Sequence, residues 1–252
     1  MKQRTSRPWI LYLTILLLYI AMQFGSLPIS KGMITIFSGN GMADQEARYS
    51  GVAWGLFISN ILAILAFFLV IRSDKNFWQV FKGKKAPVWQ AILWGIFGFF
   101  LALGGQMIAG IIEKLIGIEN GSDNTARLTE VSAIAPIMIV CIVLFAPILE
   151  EIVFRRVVFG GIYTKTNFWI AAVASALIFA AVHNEMEHIL IYLMPGLVFS
   201  YIYYRTKRIW TPMIAHLLMN GFVMTVTLNQ DKILELQKLR NGAIHLLKLI
   251  GW

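Results

Sequence analysis

Residues 147–160 read PILEEIVFRRVVFG, two glutamates and two arginines inside an otherwise apolar stretch. Apolar residues continue on both sides of it, from 134 to about 163, longer than the ~20 residues a helix needs to cross the hydrocarbon core of a bilayer. A charged side chain at that depth costs a few kcal/mol even on lenient insertion scales. Such residues therefore face the interior of a helical bundle, pair with one another and mark a functional site.

The rest of the chain agrees with a membrane setting. Its 252 residues are 58% hydrophobic and 14% charged, with a mean hydropathy of +0.69. A soluble domain carries about 25% charged residues. The single cysteine, Cys141, lies in an apolar run, excludes an internal disulfide framework and reads as a small packing residue. The net charge of +9 is spread between apolar runs instead of being gathered on one face. That distribution follows the positive-inside bias and argues against nucleic acid as a partner. The partner expected on these grounds is the lipid bilayer.

Apolar runs at 9–27, 51–71, 88–112, 134–163, 168–182, 189–204 and 209–228 predict an all-α fold, a polytopic transmembrane helical bundle of about seven spans, six to eight. The basic, apolar amino end is too long for a signal peptide's apolar region and reads as an uncleaved first span. The tail, DKILELQKLRNGAIHLLKLIGW (231–252), is partly amphipathic and reads as an interfacial segment. Basic groups collect at alternate span ends: Lys2, Arg4 and Arg7; RSDKNFWQVFKGKKAP (72–87); Lys165; and YRTKR (204–208). These ends are expected in the cytoplasm, with the amino terminus among them. The opposite ends include IENGSDNTARLTE (118–130), mixed to acidic.

Few polar residues lie at membrane depth: Glu150, Glu151, Arg155, Arg156, His183, His216 and Asn220, with Asn60 and Gln106 uncharged. Residues four apart share a helix face, so Glu151 can pair with Arg155, Phe179 can pack on His183, and His216 and Asn220 project together. Glu150 is turned about 100° from Glu151, toward a neighbouring helix. The turn near 163–168 lies 13 residues after Glu150 and 15 before His183. At 1.5 Å per residue both lie roughly 20 Å from it. His216 and Asn220, counted from the turn near Thr206, lie roughly 15 to 21 Å deep. Three polar clusters from three helices converge on one layer.

A carboxylate beside an imidazole can take a proton from water and deliver the oxygen to a carbonyl. An imidazole and an amide on one face can donate to the developing oxyanion. Those parts suit amide hydrolysis. Two other readings use the same residues. A non-catalytic immunity or scaffold protein would keep an inert site, and a proton-coupled transporter would use Glu150 and His183 as relay groups. Transporters usually carry a repeat or broken-helix signature, and no internal repeat is visible here.

The three motifs carry a resemblance. EEIVFR (150–155) matches EExxxR, FAAVH (179–183) matches FxxxH and HLLMN (216–220) matches HxxxN. In this order on successive spans they resemble the CPBP family, the CAAX proteases and bacteriocin-processing enzymes also called Abi. The resemblance covers roughly residues 130 to 228. It divides the chain into an N-terminal three-span region (1–130), a catalytic core (131–228) and the amphipathic tail (229–252). It implies an intramembrane endopeptidase acting on a membrane-associated substrate, of CAAX or leader type. Glu150 would be the general base, with His183 positioning the water. His216 and Asn220 would stabilise the oxyanion, Glu151 and Arg155 would shape the site, and Phe179 would pack beside His183.

No cofactor is expected; zinc or another divalent metal is the alternative. The segment HNEMEH (183–188) is not HExxH, because its histidines are five apart and Asn184 follows the first. Read singly, each residue has a plainer explanation. Glu151 and Arg155 make a neutralising pair, and His216 and Asn220 serve as interhelical hydrogen bonds. Arg156 is expected to snorkel to the interface, and GGQMIAG (104–110) to pack helices closely through small residues.

Overall fold

The computed structural model describes residues 8–119 and 121–249, and every regular element among them is helical. Lys2, Arg4 and Arg7 lie outside the described residues. In chain order the helices are α1 (Pro8–Gly39), α2 (Asp44–Ile71), α3 (Val88–Leu115), α4 (Asp123–Ile134), α5 (Ile137–Tyr163), α6 (Phe168–Ala181), α7 (Ile189–Thr206), α8 (Trp210–Leu228) and α9 (Gln230–Leu249). All seven expected apolar segments are helical. Among the described residues α1, α2, α3, α5 and α8 are long and apolar enough to cross a membrane, while α6 is apolar but has 14 residues.

Two boundaries differ from expectation for local reasons. The first helix does not stop near Pro28 but runs on to Gly39, giving 32 residues. Its second half, PISKGMITIFSG, is held against α2, where the glycines of α2 leave room for it. A methyl at Gly55 would stand 2.6 Å from Cα of Ser30. Within the connection 118–130, Ser122 accepts the N–H of Thr125 at 3.0 Å and starts α4. A serine hydroxyl satisfies a donor that a helix start leaves open, so an amphipathic helix forms there.

Helix α5 is the axis of the bundle, packed against α1, α2, α4, α6, α7 and α8. It is wound as π-helix over Cys141–Phe145 and Glu151–Phe159. Such segments widen the helix locally and often coincide with functional sites. From Glu151 to Val157 every side chain is buried, on all faces. A helix enclosed all round has no route to the interface, which corrects the expectation for Arg156. Its side chain is 2% exposed. Its Nη1 and Nη2 donate to Tyr12 Oη at 3.1 Å, its Nε donates to the Phe77 carbonyl, and its guanidinium lies over the Phe77 ring at 4.2 Å. It ties α5 to α1 and to the α2–α3 loop.

The main apolar cluster joins Leu149, Val153, Phe154 and Val157 of α5 to Ile15 and Tyr19 of α1, Phe67 of α2 and Phe179 of α6. On the far side, Ile202 and Phe199 of α7 pack with Ala102 of α3 and Ala215 of α8. Of the glycines in GGQMIAG, a methyl added at Gly105 would stand 3.1 Å from Met194, but Gly104 and Gly110 face open space, so close packing holds at one position. The outside is as apolar as the inside: Phe24 is 70% exposed and Trp169 73%. Large exposed aromatics on α1, α2, α3, α6, α7 and α8 suit a lipid surround, not water. The chain is an integral membrane protein.

Candidate active site

Two adjacent glutamates on α5 diverge, as one residue of helical rotation requires. Glu151 is fully buried, and its Oε2 lies 3.2 Å from Nε of Arg155, one turn on. The Arg155 Nη2 donates to the Gly196 carbonyl at 3.4 Å, and the guanidinium lies between the rings of Phe179 at 4.4 Å and Phe199 at 5.2 Å. Its Nη1 has no hydrogen-bond partner among the described residues. Gly196 lets α7 pack closely on α6, since a methyl there would stand 2.8 Å from Cβ of Ala176.

The other oxygen of Glu151 makes the contact that the spacing of residues did not indicate. Oε1 lies 2.9 Å from Nδ1 of His216 on α8. An ionised carboxylate only accepts, so Nδ1 carries the proton and Nε2 is turned the other way. That nitrogen faces Glu150, whose Oε2 is 3.8 Å distant. The gap exceeds a hydrogen bond and is one in which an intervening water is to be considered. The imidazole is stacked on Phe199 at 5.0 Å and 30°. His216 is thus held between the two glutamates, one in the protein interior and one at a cavity.

The cavity is about 390 Å³ and is lined by Glu150, His183, His216 and Asn220, together with Tyr19, Asn60, Gln106 and Tyr192. Its remaining wall is mostly apolar and rich in methionine, with Met22, Met138, Met219 and Met224. Asn220 donates through Nδ2 to the Ile142 carbonyl at 2.9 Å, and one amide hydrogen is left over. The acceptor lies in the first π-wound segment of α5.

His183 stands just past the end of α6, in the turn that follows Ala181. Its Nδ1 lies 2.8 Å from the Phe179 carbonyl. A carbonyl only accepts, so Nδ1 donates and Nε2 keeps its lone pair. Phe179 meets the ring edge-on at 4.8 Å and Tyr192 stacks on it at 4.1 Å and 25°. The four residues predicted to surround the reacting bond therefore share one cavity, while Glu151 and Arg155 lie behind it. Among the described residues no group of three or more His, Cys, Asp or Glu side chains is arranged to hold a metal ion.

Two further polar clusters were not singled out in the sequence. Buried Glu113 of α3 accepts the N–H groups of Leu190 and Ile191 at 3.2 and 3.3 Å, and lies 2.9 Å from His188 Nδ1. It caps the start of α7. Glu185, in the α6–α7 turn, accepts from Ser122, Tyr192 and the Asn124 N–H, each at 2.7 Å. The only advance signal was their position in or next to connecting segments, where acidic residues are ordinary.

A multi-pass helical bundle with carboxylate, imidazole and amide groups around a cavity at membrane depth defines a class: proteins that carry out polar chemistry inside the bilayer. Residues 132–222 match the family model described as Type II CAAX prenyl endopeptidase Rce1-like. The chain is 38% identical over 232 residues to "Putative membrane peptidase YdiL" of Bacillus subtilis (strain 168), covering 91% of each chain. It is 32% identical over 243 residues to "Membrane-embedded CAAX protease MroQ" of Staphylococcus aureus (strain USA300), covering 91% of this chain and 94% of that one. A third relative, "UPF0177 protein YvdC" of Lactococcus lactis subsp. lactis (strain IL1403), is 27% identical over 179 residues, 68% of this chain and 65% of its own. No solved structure matches the chain. The protein belongs to the Rce1-like CAAX protease family and is an intramembrane peptidase.

Proposed function

We propose that this peptidase cleaves a membrane-associated protein or peptide, of CAAX or leader type, with water activated by Glu150 and without a metal. The observation that carries the proposal is the cavity shared by Glu150, His183, His216 and Asn220, with Glu151 orienting His216 from behind. Its methionine-rich wall suits an apolar segment of substrate.

In this mechanism a water hydrogen-bonded to Glu150 and to the free Nε2 of His183 attacks the scissile carbonyl carbon. Glu150 takes the water's proton as the carbon–oxygen bond forms. The oxyanion is held by the spare amide hydrogen of Asn220 and by Nε2–H of His216. Because Nδ1–H of His216 is given to Glu151, donation from Nε2 as well requires the imidazolium form, with Glu151 as its counter-charge. On collapse the C–N bond breaks and Glu150 passes its proton to the departing amine.

The test uses proteoliposomes and two internally quenched probes: a lipidated peptide ending in a CAAX sequence and a leader-type peptide. Glu150→Gln is expected to lower kcat by about 10²–10⁴-fold on the probe that is cleaved, the usual range for a general base. Undiminished turnover would remove Glu150 from that role. Exhaustive chelation is expected to leave the rate unchanged, and a loss restored by zinc would replace the metal-free scheme.

A further inference from the structure

We infer that Tyr192 is a positioning residue for His183, held in place by Glu185 and, through it, by the first turn of α4. The inference extends the catalytic reading above and rests on it for the importance of His183.

The imidazole of His183 lies beyond the last turn of its helix, so regular helical hydrogen bonding does not fix it. Three contacts do: the Phe179 carbonyl, the Phe179 edge and the face of Tyr192. The first two come from α6 itself. Tyr192 is the contact that comes from another helix, α7, and its stacked geometry leaves the ring one face. A single hydrogen bond through Nδ1 lets an imidazole pivot about that bond; a ring stacked parallel at 4.1 Å opposes the pivot. The direction of the Nε2 lone pair is set by this contact.

The tyrosine is itself anchored. Its hydroxyl donates to Oε2 of Glu185 at 2.7 Å, and Ser122 donates to the same oxygen at 2.7 Å. The Asn124 N–H donates to Oε1 at 2.7 Å. Ser122 is also the N-cap of α4, so one side chain starts that helix and closes on the α6–α7 turn. The turn is bent back toward α4 by Asn184, whose φ is +56°, a left-handed conformation that asparagine adopts more readily than most residues. Asn124, Thr125 and Leu128 of α4 line the same cavity. A wall of the cavity and the histidine at its floor are therefore joined through one carboxylate. Burial alone would raise the carboxyl of Glu185. The bonds from Tyr192, Asn124 and Ser122, with His188 nearby, outweigh burial and hold it below its ordinary value.

The test reads His183 directly and then reads turnover. The full chain has four histidines, so ring-labelled histidine in lipid nanodiscs gives few signals, and His183→Gln identifies one. The ring protons of His183 are expected upfield under the Tyr192 face. Tyr192→Leu should abolish that shift and leave the His216 signals in place, which also reports that the fold is kept. Tyr192→Phe keeps the ring but loses the anchor, and should retain part of the shift. On the cleaved probe, Tyr192→Leu is expected to lower kcat by about 10²-fold, as for a misplaced catalytic group, with KM little changed. Tyr192→Phe should recover most of that loss. His183 signals identical to wild type in both variants would overturn the inference, even if Tyr192→Leu were poorly folded, because Tyr192→Phe is nearly isosteric. Displaced signals with full turnover would overturn it too. Should Glu150→Gln still abolish cleavage in that assay, the proposed mechanism survives the failure of this one.

Discussion

Glu151 illustrates how a buried charge is kept. It has two obligations, Arg155 on its own helix and His216 on α8, and both oxygens are taken out of contact with water. Removing one partner of a buried ion pair leaves the other charge uncompensated, at a cost of about 3–5 kcal/mol. Arg155→Met is therefore expected to destabilise the protein by roughly that amount, measured by chemical unfolding in detergent. The double replacement Glu151→Met/Arg155→Met should recover much of the stability, since an apolar pair of similar volume is often neutral. It should not recover turnover, because His216 would have lost the group that sets its tautomer. A single variant as stable as wild type would mean that the pair contributes nothing to folding. The pairing of Glu151 with Arg155 was readable from their spacing; the bond to His216 was not, because it joins residues 65 apart in sequence.

At the scale of elements, the helices approach each other where side chains are missing. Helix α1 lies along α2 across Gly51 and Gly55, and behind the Ser30 hydroxyl a methyl at Gly55 would meet the Ser30 backbone at 2.6 Å, which cannot rotate away. Gly55→Val is expected to push the pair apart, at about 1–3 kcal/mol or more for an overpacked contact, seen as a lowered Tm in nanodiscs. Gly104→Ala, at a glycine facing open space, is the control and should be neutral. Equal effects of the two would refute close packing at Gly55. Hydropathy located the apolar segments well but misjudged where some end. The first apolar run was read as ending at residue 27, and the helix continues to Gly39 where α2 offers it a seat. The π-winding of α5 and the burial of Arg156 likewise come from neighbours on every side, which no local pattern records.

For the molecule as a whole, the basic connections meet at one end. Lys207 Nζ donates to the Lys82 carbonyl at 2.7 Å, Arg208 Nε to the Ala86 carbonyl at 2.6 Å, and the Ala86 N–H to the Thr206 carbonyl at 3.1 Å. The segments 163–168 and 204–207 line a common depression with them. We propose that this end is cytoplasmic, by the positive-inside bias, with the amino terminus on the same side. The sole cysteine, Cys141, is buried, so Lys84→Cys gives a nearly clean background for labelling. An impermeant thiol reagent is expected to modify Lys84→Cys in inside-out vesicles and to spare it in intact cells. The reverse pattern would invert the topology.

Composition and three short spacings were by themselves enough to determine an all-helical membrane protein with a carboxylate, two imidazoles and an amide at one depth. Hydropathy and helical periodicity are local properties, and a membrane leaves few ways to satisfy them. Only the tertiary structure decided which nitrogen of His183 and of His216 is turned to the cavity, that Glu151 holds His216, that Arg156 is interior, and that Tyr192, bonded to Glu185, stacks on His183. Those facts depend on the rotation of one helix against another. Side-chain packing sets that rotation between residues far apart in the chain, so no single segment contains it.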